Sequence, residues 1–595
     1  MKITSVRRIS QIFFVILFLW FCLAATLGER WWQLRGWPIN WFIQLDPLVG
    51  LGTLLATRTL YAGLLWGLLT VVLTLILGRF FCGWLCPFGA IHQFLGFCAK
   101  YKQPLKYKVS INRYSPWQST KYFLLFFFLA AAIVDLSGIF MAGHPLLVGS
   151  LQIGLLDPIS LLYRSVNLAI LSLVDGSVVH LTAAQRFYDG AWVIGSIFLA
   201  AIFLNFFRPR FYCRYICPLG ALFGILGRFA IFRIAKTRAQ CTNCELCERN
   251  CEGACSPTSK IRVNECVLCM NCLKDCRHDT MTYRIYPSES GERVSPDLTR
   301  RGIVISIATG VFIPPMIRLS GGTTLNWQAG LVRPPGSLDE ENFLRRCIKC
   351  GQCMRICPTN VIQPAGLETG FEALWTPSLN FRVGTSGCQH NCIACGNICP
   401  TAAIRPITLD ERMGTGAFEN QGPLRIGMAF LDYGRCLPWA MGLPCIVCQE
   451  NCPVSPKAIF TRDIFQDVRD YTGLRTKITD SDVVEITDKA LPPHRFATGD
   501  YFLKLSDTPN SDPFPITGNS ENRIEIFNPT PYAQYYAVDT RADILILLQQ
   551  PYVDPEKCIG CGICQHECPV KGKRAIRINA ENESRNREHS FLLTR

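Results

Sequence analysis

The chain has 595 residues, 49% of them hydrophobic, with a mean hydropathy of +0.20 and a formal net charge of +15. That length exceeds what a single core organises, so several domains are expected, and the apolar residues crowd into the first third, which points to an integral membrane part. The basic residues bunch beside the apolar segments instead of along an aromatic-studded face, which argues against nucleic acid as a partner.

Four apolar stretches, residues 9–27, 60–77, 122–140 and 191–207, are long enough or nearly so to cross a hydrocarbon layer of about 30 Å as helices. Between the second and third lie Arg79, Lys100, Lys102, Lys106, Lys108, Arg113 and Lys121 with no acidic residue. After the fourth lie Arg208, Arg210, Arg214, Arg228, Arg233, Lys236 and Arg238, again with none. The positive-inside bias places both segments, and the N-terminus with Lys2, Arg7 and Arg8, on the cytoplasmic side. Residues 166–181 are interrupted by Asp175 and Gly176 and read as an interfacial or re-entrant piece.

The first 240 residues contain an internal repeat. Leu45-Asp46-Pro47 leads to a helix and then to Cys82-Gly-Trp-Leu-Cys86-Pro87. Leu156-Asp157-Pro158 leads to a helix and then to Cys213-Arg-Tyr-Ile-Cys217-Pro218. The four thiols Cys82, Cys86, Cys213 and Cys217 are candidates for one further metal site or a redox-active dithiol set; the plainer reading is that Pro and Gly fix the turns and the cysteines pack as small hydrophobes. Haem is disfavoured because none of the four stretches holds a histidine, His92 and His144 lying just beyond them. Asp135 near the outer end of the third stretch and His144 beyond it, with Asp157, are candidate catalytic groups that would take protons from a quinol.

Next come CTNCELCERNC and CVLCMNCLKDC. Each reads C-x2-C-x2-C-x3-C, a spacing in which three thiolates grip one [4Fe–4S] cubane and the fourth crosses to the partner cluster. The ligands are Cys241, Cys244, Cys247 and Cys251, then Cys266, Cys269, Cys272 and Cys276. Cys255 rivals Cys251 as cross-over ligand, and the x3 spacing favours Cys251. Zinc is the alternative, but its structural sites are usually closed by two separated C-x2-C pairs. Residues 286–330 form a polar linker leading to Arg300-Arg301 and an apolar run, 302–317. This is the pattern of an export signal for a folded domain and of a fifth crossing, with a buried or surface-lying helix as its rival.

Residues 331–595 hold four more runs: Cys347, Cys350, Cys353 and Cys357; Cys388, Cys392, Cys395 and Cys399; Cys436, Cys445, Cys448 and Cys452; Cys558, Cys561, Cys564 and Cys568. Each ends in Cys-Pro, where proline stops the local helix. Six clusters are expected in all. A long separation before the last run, with an insertion at 453–557 patterned as short strands, makes a nested pairing attractive, outer runs one and four together and inner runs two and three together; sequential pairing stays open.

The N-terminal third, with its paired C-x3-C-P motifs and the double cluster run, resembles the NapH-type membrane quinol dehydrogenase subunit of periplasmic nitrate reductase systems. The chain from Thr299 onward resembles the NapG-type partner, an exported four-cluster ferredoxin. The resemblance implies an α-helical membrane domain (1–240), an α+β double-cluster ferredoxin module on the cytoplasmic side (241–285), the anchor segment, and a periplasmic polyferredoxin. It implies an inner-membrane, multi-pass protein that oxidises quinol and relays electrons to a periplasmic redox partner. The alternatives are a redox-sensing regulatory or assembly factor, and a polyferredoxin that stays in the cytoplasm and is fed by a soluble donor.

Overall fold

The computed structural model describes the chain except residues 1–2, 27–36, 101–102, 134–139, 142–143, 146–150, 178–184, 238–240, 277, 279, 320–329, 506–511, 528–539 and 586–595. It forms two compact units: Met1–Thr385 with Asn391–Leu424, and Ser386–His390 with Arg425–Arg595. The division cuts the second C-terminal cysteine run, with Cys388 in the second unit and Cys392, Cys395 and Cys399 in the first.

The first unit is built on helices. α1 (Ile3–Thr26) follows from an uninterrupted apolar run after Arg8, and at ~1.5 Å per residue its 24 residues span about 36 Å. Among the described residues it alone is both long and apolar enough to cross a bilayer by itself. The expected stretches 60–77 and 191–207 appear as shorter apolar helical segments, Ala62–Leu77 and Ala191–Phe206. Their inner helices are α3 (Gly67–Leu77) and α7 (Ala191–Phe203), while α5 (Thr120–Ile133) occupies the described part of the third stretch. The two Asp-Pro pairs open α2 (Pro47–Thr57) and α6 (Pro158–Ser165), each with aspartate as the capping acceptor and proline at the first turn, where its missing N–H costs nothing. Each C-x3-C-P motif opens a further helix, α4 (Pro87–Lys100) and α8 (Pro218–Gly227). The twin-arginine segment forms α9 (Arg300–Leu319) and lies along α5. Gly310 makes that approach possible, since a Cβ there would stand 2.3 Å from the Phe127 carbonyl oxygen.

Strands β1 (Arg233–Lys236) and β2 (Met281–Arg284) pair antiparallel and bracket the first two cysteine runs over a core of Ile234, Ile261, Leu268, Met270 and Met281. β3 (Ile362–Pro364) and β4 (Pro377–Leu379) do the same beside the Cys347 run.

In the second unit, β5 (Met428–Leu431) pairs with the final strand, Ile576–Asn579, across the third and fourth C-terminal runs. The insertion forms β6 (Ile459–Asp467), β7 (Leu474–Asp480), β8 (Val483–Ile486), β9 (Tyr501–Leu505), β10 (Phe514–Asn519), β11 (Arg523–Ile526) and β12 (Thr540–Val553). The order is β6-β12-β7-β8-β11-β10-β9, and β9 also pairs with β12, so six strands close into an antiparallel barrel. Leu474, Val484, Phe496, Leu503, Ile516, Ile524 and Ile544 fill it. Ile459 pairs with Val553, so the insertion leaves and rejoins the ferredoxin at adjacent points.

Candidate metal centres

Four of the cysteine runs share one backbone device. In each C-x2-C-x2-C, the residues flanking the middle cysteine take left-handed φ: Asn243 and Glu245, Leu268 and Met270, Lys349 and Gly351, Gly560 and Gly562. A left-handed residue on either side of a cysteine curls the chain back on itself, which turns three thiols toward a common point. For the non-glycine residues the conformation costs about 1–2 kcal/mol each. Strain of that kind persists only where the surrounding structure demands it.

The thiols assemble across runs. Cys347, Cys350 and Cys353 line one small cavity with Cys399, the last cysteine of the following run. Cys436, Cys445 and Cys448 line another with Cys568. Cys558, Cys561 and Cys564 gather with Cys452. Three cysteines of one run with the fourth of its neighbour is the two-cubane ferredoxin pattern. This overturns the nested scheme: runs one and two pair, and so do three and four. The long separation misleads because β6 and β12 bring the chain back to its point of departure. The donor set fits a cubane, with backbone N–H groups aimed at sulfur as well: Ile404 N donates to Cys399 Sγ (3.5 Å) and Ala429 N to Cys558 Sγ (3.4 Å). Burial pushes the thiols up, Cys347 and Cys436 to about 11 and Cys350, Cys448 and Cys561 to about 12, so loading a cluster must expel protons. Cys357, Cys388 and Cys395 are also buried, and Cys392 is half-buried.

In the 241–276 module Cys251 lies in electrostatic range of Cys266, Cys269 and Cys272. Cys255, whose role the spacing left open, stands with its Sγ 3.4 Å from Cys251 Sγ and also contacts Cys266. The contact between the two sulfurs, in which either can donate, together with the Cys255 N–H at 3.4 Å, pulls Cys251 down to about 7, while the contacts with Cys251 and Cys266 push Cys255 up. Cys241 and Cys244 are exposed, while Cys247 and Cys276 pack at the edge of the same core.

The two C-x3-C-P motifs adopt one geometry. Each makes a wide turn closed by a bond over five residues, Cys86 N to Phe81 O and Cys217 N to Tyr212 O, both 2.9 Å. Turns of this width concentrate at functional sites. The second cysteine then caps the next helix, accepting from Gly89 N (3.4 Å) or Gly220 N (3.1 Å). The four thiols lie within electrostatic range of one another. Arg79 and Arg210, three residues before each motif, are buried: Arg210 pairs with Glu252 at 2.9 Å and Arg79 donates to Asn264 O at 2.8 Å. Gly83 sits against the loop of the Cys266 run, where a Cβ would be 2.2 Å from Val267 O, and Trp84 Nε1 donates to Leu268 O.

The double-cluster module and the Cys347 run dock at opposite ends of α1. Near its start, Arg7 donates to Cys269 O and pairs with Glu252. At its end, Thr26 Oγ1 accepts from Arg355 Nε at 2.7 Å, and Arg355 forms a fully buried ion pair with Asp175. Arg164 donates to Lys349 O and Asn167 Nδ2 to Gln352 Oε1, fixing the same loop. Asp175, which read as an interruption of an apolar stretch, is therefore a docking residue. The acid pairing has no local sequence signal, since its partner is 180 positions away. Of the expected proton acceptors, Asp135 lies outside the described residues. His144 is described only by its backbone pairing with Met141.

Three family profiles, each for a 4Fe-4S binding domain, match the chain: one at residues 59–105 and 190–237, one at 344–363 and one at 549–570. The chain carries 4Fe-4S binding domains. It is similar to the ferredoxin-type protein NapG of Escherichia coli (strain K12), 35% identical over 129 residues, covering 22% of this chain and 50% of that one. It is similar to the regulatory protein NosR of Pseudomonas aeruginosa, 27% identical over 249 residues, covering 39% and 30%. It also matches the uncharacterised protein MJ0750 of Methanocaldococcus jannaschii, 28% identical over 285 residues, covering 47% and 96%. No solved structure matches it. Two of the matched segments contain the C-x3-C-P motifs, which ties those thiols to iron–sulfur proteins.

Proposed function

We propose that the chain conducts electrons across a lipid bilayer, oxidising quinol and delivering electrons to a redox partner on the far side, as a fusion of NapH-like and NapG-like parts would. The observation that carries this reading is the separation of two cysteine-rich modules by the length of α1, about 28 Å between Arg7 and Thr26 at ~1.5 Å per residue. Helices α1, α3, α5 and α7 form the membrane bundle, with the shorter ones completed by flanking turns and α9 added alongside α5.

Six cysteine sets hold six [4Fe–4S] clusters, whose chemistry is single-electron transfer. The thiols of Cys82, Cys86, Cys213 and Cys217 hold a seventh centre between the two modules. Its neighbours support that role: Gly83 abuts Val267 beside Cys266 on one side. On the other, Tyr212, next to Cys213, donates to Leu156 O, and Arg164 links Leu155 O to Lys349 O of the Cys347 run. For quinol, an apolar cavity of about 270 Å³ lined by Pro47, Gly50, Leu54, Tyr61, Leu68 and Leu226 offers room for a ring with a hydrocarbon tail and one phenol to bond it.

The test is reduction of the purified full chain by a short-chain quinol in vesicles, followed by low-temperature EPR. Reduction of all clusters without a partner is expected, and clusters that never reduce with quinol would remove the reading. Labelling of a cysteine introduced near Asn519, at the exposed Ser520, from the cytoplasmic side alone would remove its transmembrane direction.

A further inference from the structure

Asp46 and Asp157 stand at matching places in the two repeats, and neither exposes any surface. Each spends one carboxylate oxygen on its helix cap. Asp46 Oδ1 accepts from Leu48 N (2.8 Å) and Val49 N (3.3 Å), and Asp157 Oδ2 accepts from Ser160 N (2.8 Å). The remaining oxygens, Asp46 Oδ2 and Asp157 Oδ1, receive no N–H or O–H donor. The two carboxyl groups lie within reach of each other, and the Ser160 hydroxyl within reach of Asp157.

Two carboxyls within reach of each other through acceptor oxygens must have a proton between them. Two bare carboxylates in a low-dielectric interior repel by several kcal/mol, and the ordinary solution is that one stays an acid. The charged group in reach is Arg164, whose guanidinium is already engaged with the carbonyls of Gly154, Leu155 and Lys349. Tyr212 is the other titratable neighbour, and its hydroxyl donates to Leu156 O, the carbonyl just before Asp157. The same tyrosine immediately precedes Cys213. A helix cap alone explains one oxygen of each aspartate; it does not explain why two caps are turned face to face.

We propose that Asp46 and Asp157 form a one-proton site inside the membrane domain whose proton occupancy follows the charge on the neighbouring four-thiol centre. When one electron reaches that centre from a flanking cluster, one proton from water joins the pair, turning an acid–carboxylate into two acids, so the added negative charge is balanced. This rests on the reading of Cys82, Cys86, Cys213 and Cys217 as a redox centre.

The experiment uses full-length, cluster-loaded protein with Asp46→Asn and Asp157→Asn. Asparagine still caps a helix, so the fold and the iron content of the other clusters should hold. In the wild type, the midpoint potential of the EPR signal that Cys86→Ser abolishes should fall by about 59 mV per pH unit, tenfold per unit for a one-electron couple. Each Asn variant should flatten that slope. Reduced-minus-oxidised infrared spectra should contain a protonated-carboxyl band that shifts in D2O and is missing in both variants. A slope unchanged in both variants, or a band that survives in both, overturns the proposal. Should Cys86→Ser abolish no signal, the redox-centre reading fails. The shared proton is then judged separately by the carboxyl band in pH-difference spectra of the oxidised protein, which needs no seventh centre; its absence overturns the one-proton site too.

Discussion

Arg355 Nη1 and Nη2 meet the two oxygens of Asp175 at 2.6 and 2.9 Å, a bidentate pair in which neither side chain is exposed. Arg355 stands between Cys353 and Cys357, so this one contact fastens a cluster-binding loop to the helical part of the unit. A buried charge left without its partner typically costs about 3–5 kcal/mol. Asp175→Asn should therefore lower the stability of the first unit by that order and make the Cys347 loop accessible to protease. Arg355→Met combined with Asp175→Leu should recover much of the loss. Denaturant melts of the two variants with the wild type check this.

Cys86→Ser and Cys217→Ser should each lower iron from about twenty-eight to about twenty-four atoms per chain, the difference of one cubane. The six remaining clusters should keep their EPR signals. If iron and spectra are unaltered in both variants, the C-x3-C-P thiols are packing residues.

Cys251 and Cys255 should behave differently on replacement, although their sulfurs lie 3.4 Å apart. Cys251→Ser should destroy the cluster bound with Cys266, Cys269 and Cys272. Cys255→Ser should leave it in place and shift its potential, because only a hydrogen bond to the ligand sulfur has changed. Potentiometric EPR separates the two outcomes.

Loss of the clusters should make stability fall with alkaline pH. The thiols of Cys347 and Cys350 are raised by burial from 9.0 to about 11 and about 12. A raised acid contributes stability that is complete below pH 9 and disappears as pH climbs through the folded value. Protein stripped of iron should thus lose thermal stability between pH 9 and 11 faster than loaded protein, whose thiolates carry no proton to lose. Melts of both forms across that window give the answer.

The barrel insertion should be removable. Because Ile459 and Val553 are cross-strand partners, their Cα atoms lie about 5 Å apart, and a short glycine-containing turn bridges that distance. A chain lacking residues 462–550, which keeps the next cross-strand pair Thr461 and Pro551 and so the Pro551 wall of the Cys436 cavity, should keep its iron, while loss of the Cys436 or Cys558 clusters would show that the barrel supports them.

The cysteine spacing carried most of the site. It identified the runs and the cross-over pattern, because three thiols at C-x2-C-x2-C need only a local curl of backbone. Pairing between runs was beyond it, since pairing depends on where a 14-residue strand such as Thr540–Val553 returns the chain. The Leu-Asp-Pro repeat was legible, and so were its helix caps. That its two aspartates meet was not, because the contact is made across the repeats and nothing in either segment announces a partner. The insertion showed its alternation but not its closure, which needs β9 to find β12 across forty residues.

Arg210 reaches from the second repeat to donate to the carbonyl of Cys82 in the first, and Arg79 of the first lies over Gly220 of the second, where a Cβ would be 3.2 Å from its Nη2. Each half thus borrows a side chain from its twin. A fragment holding only one half would therefore leave an incomplete shell around its own thiols.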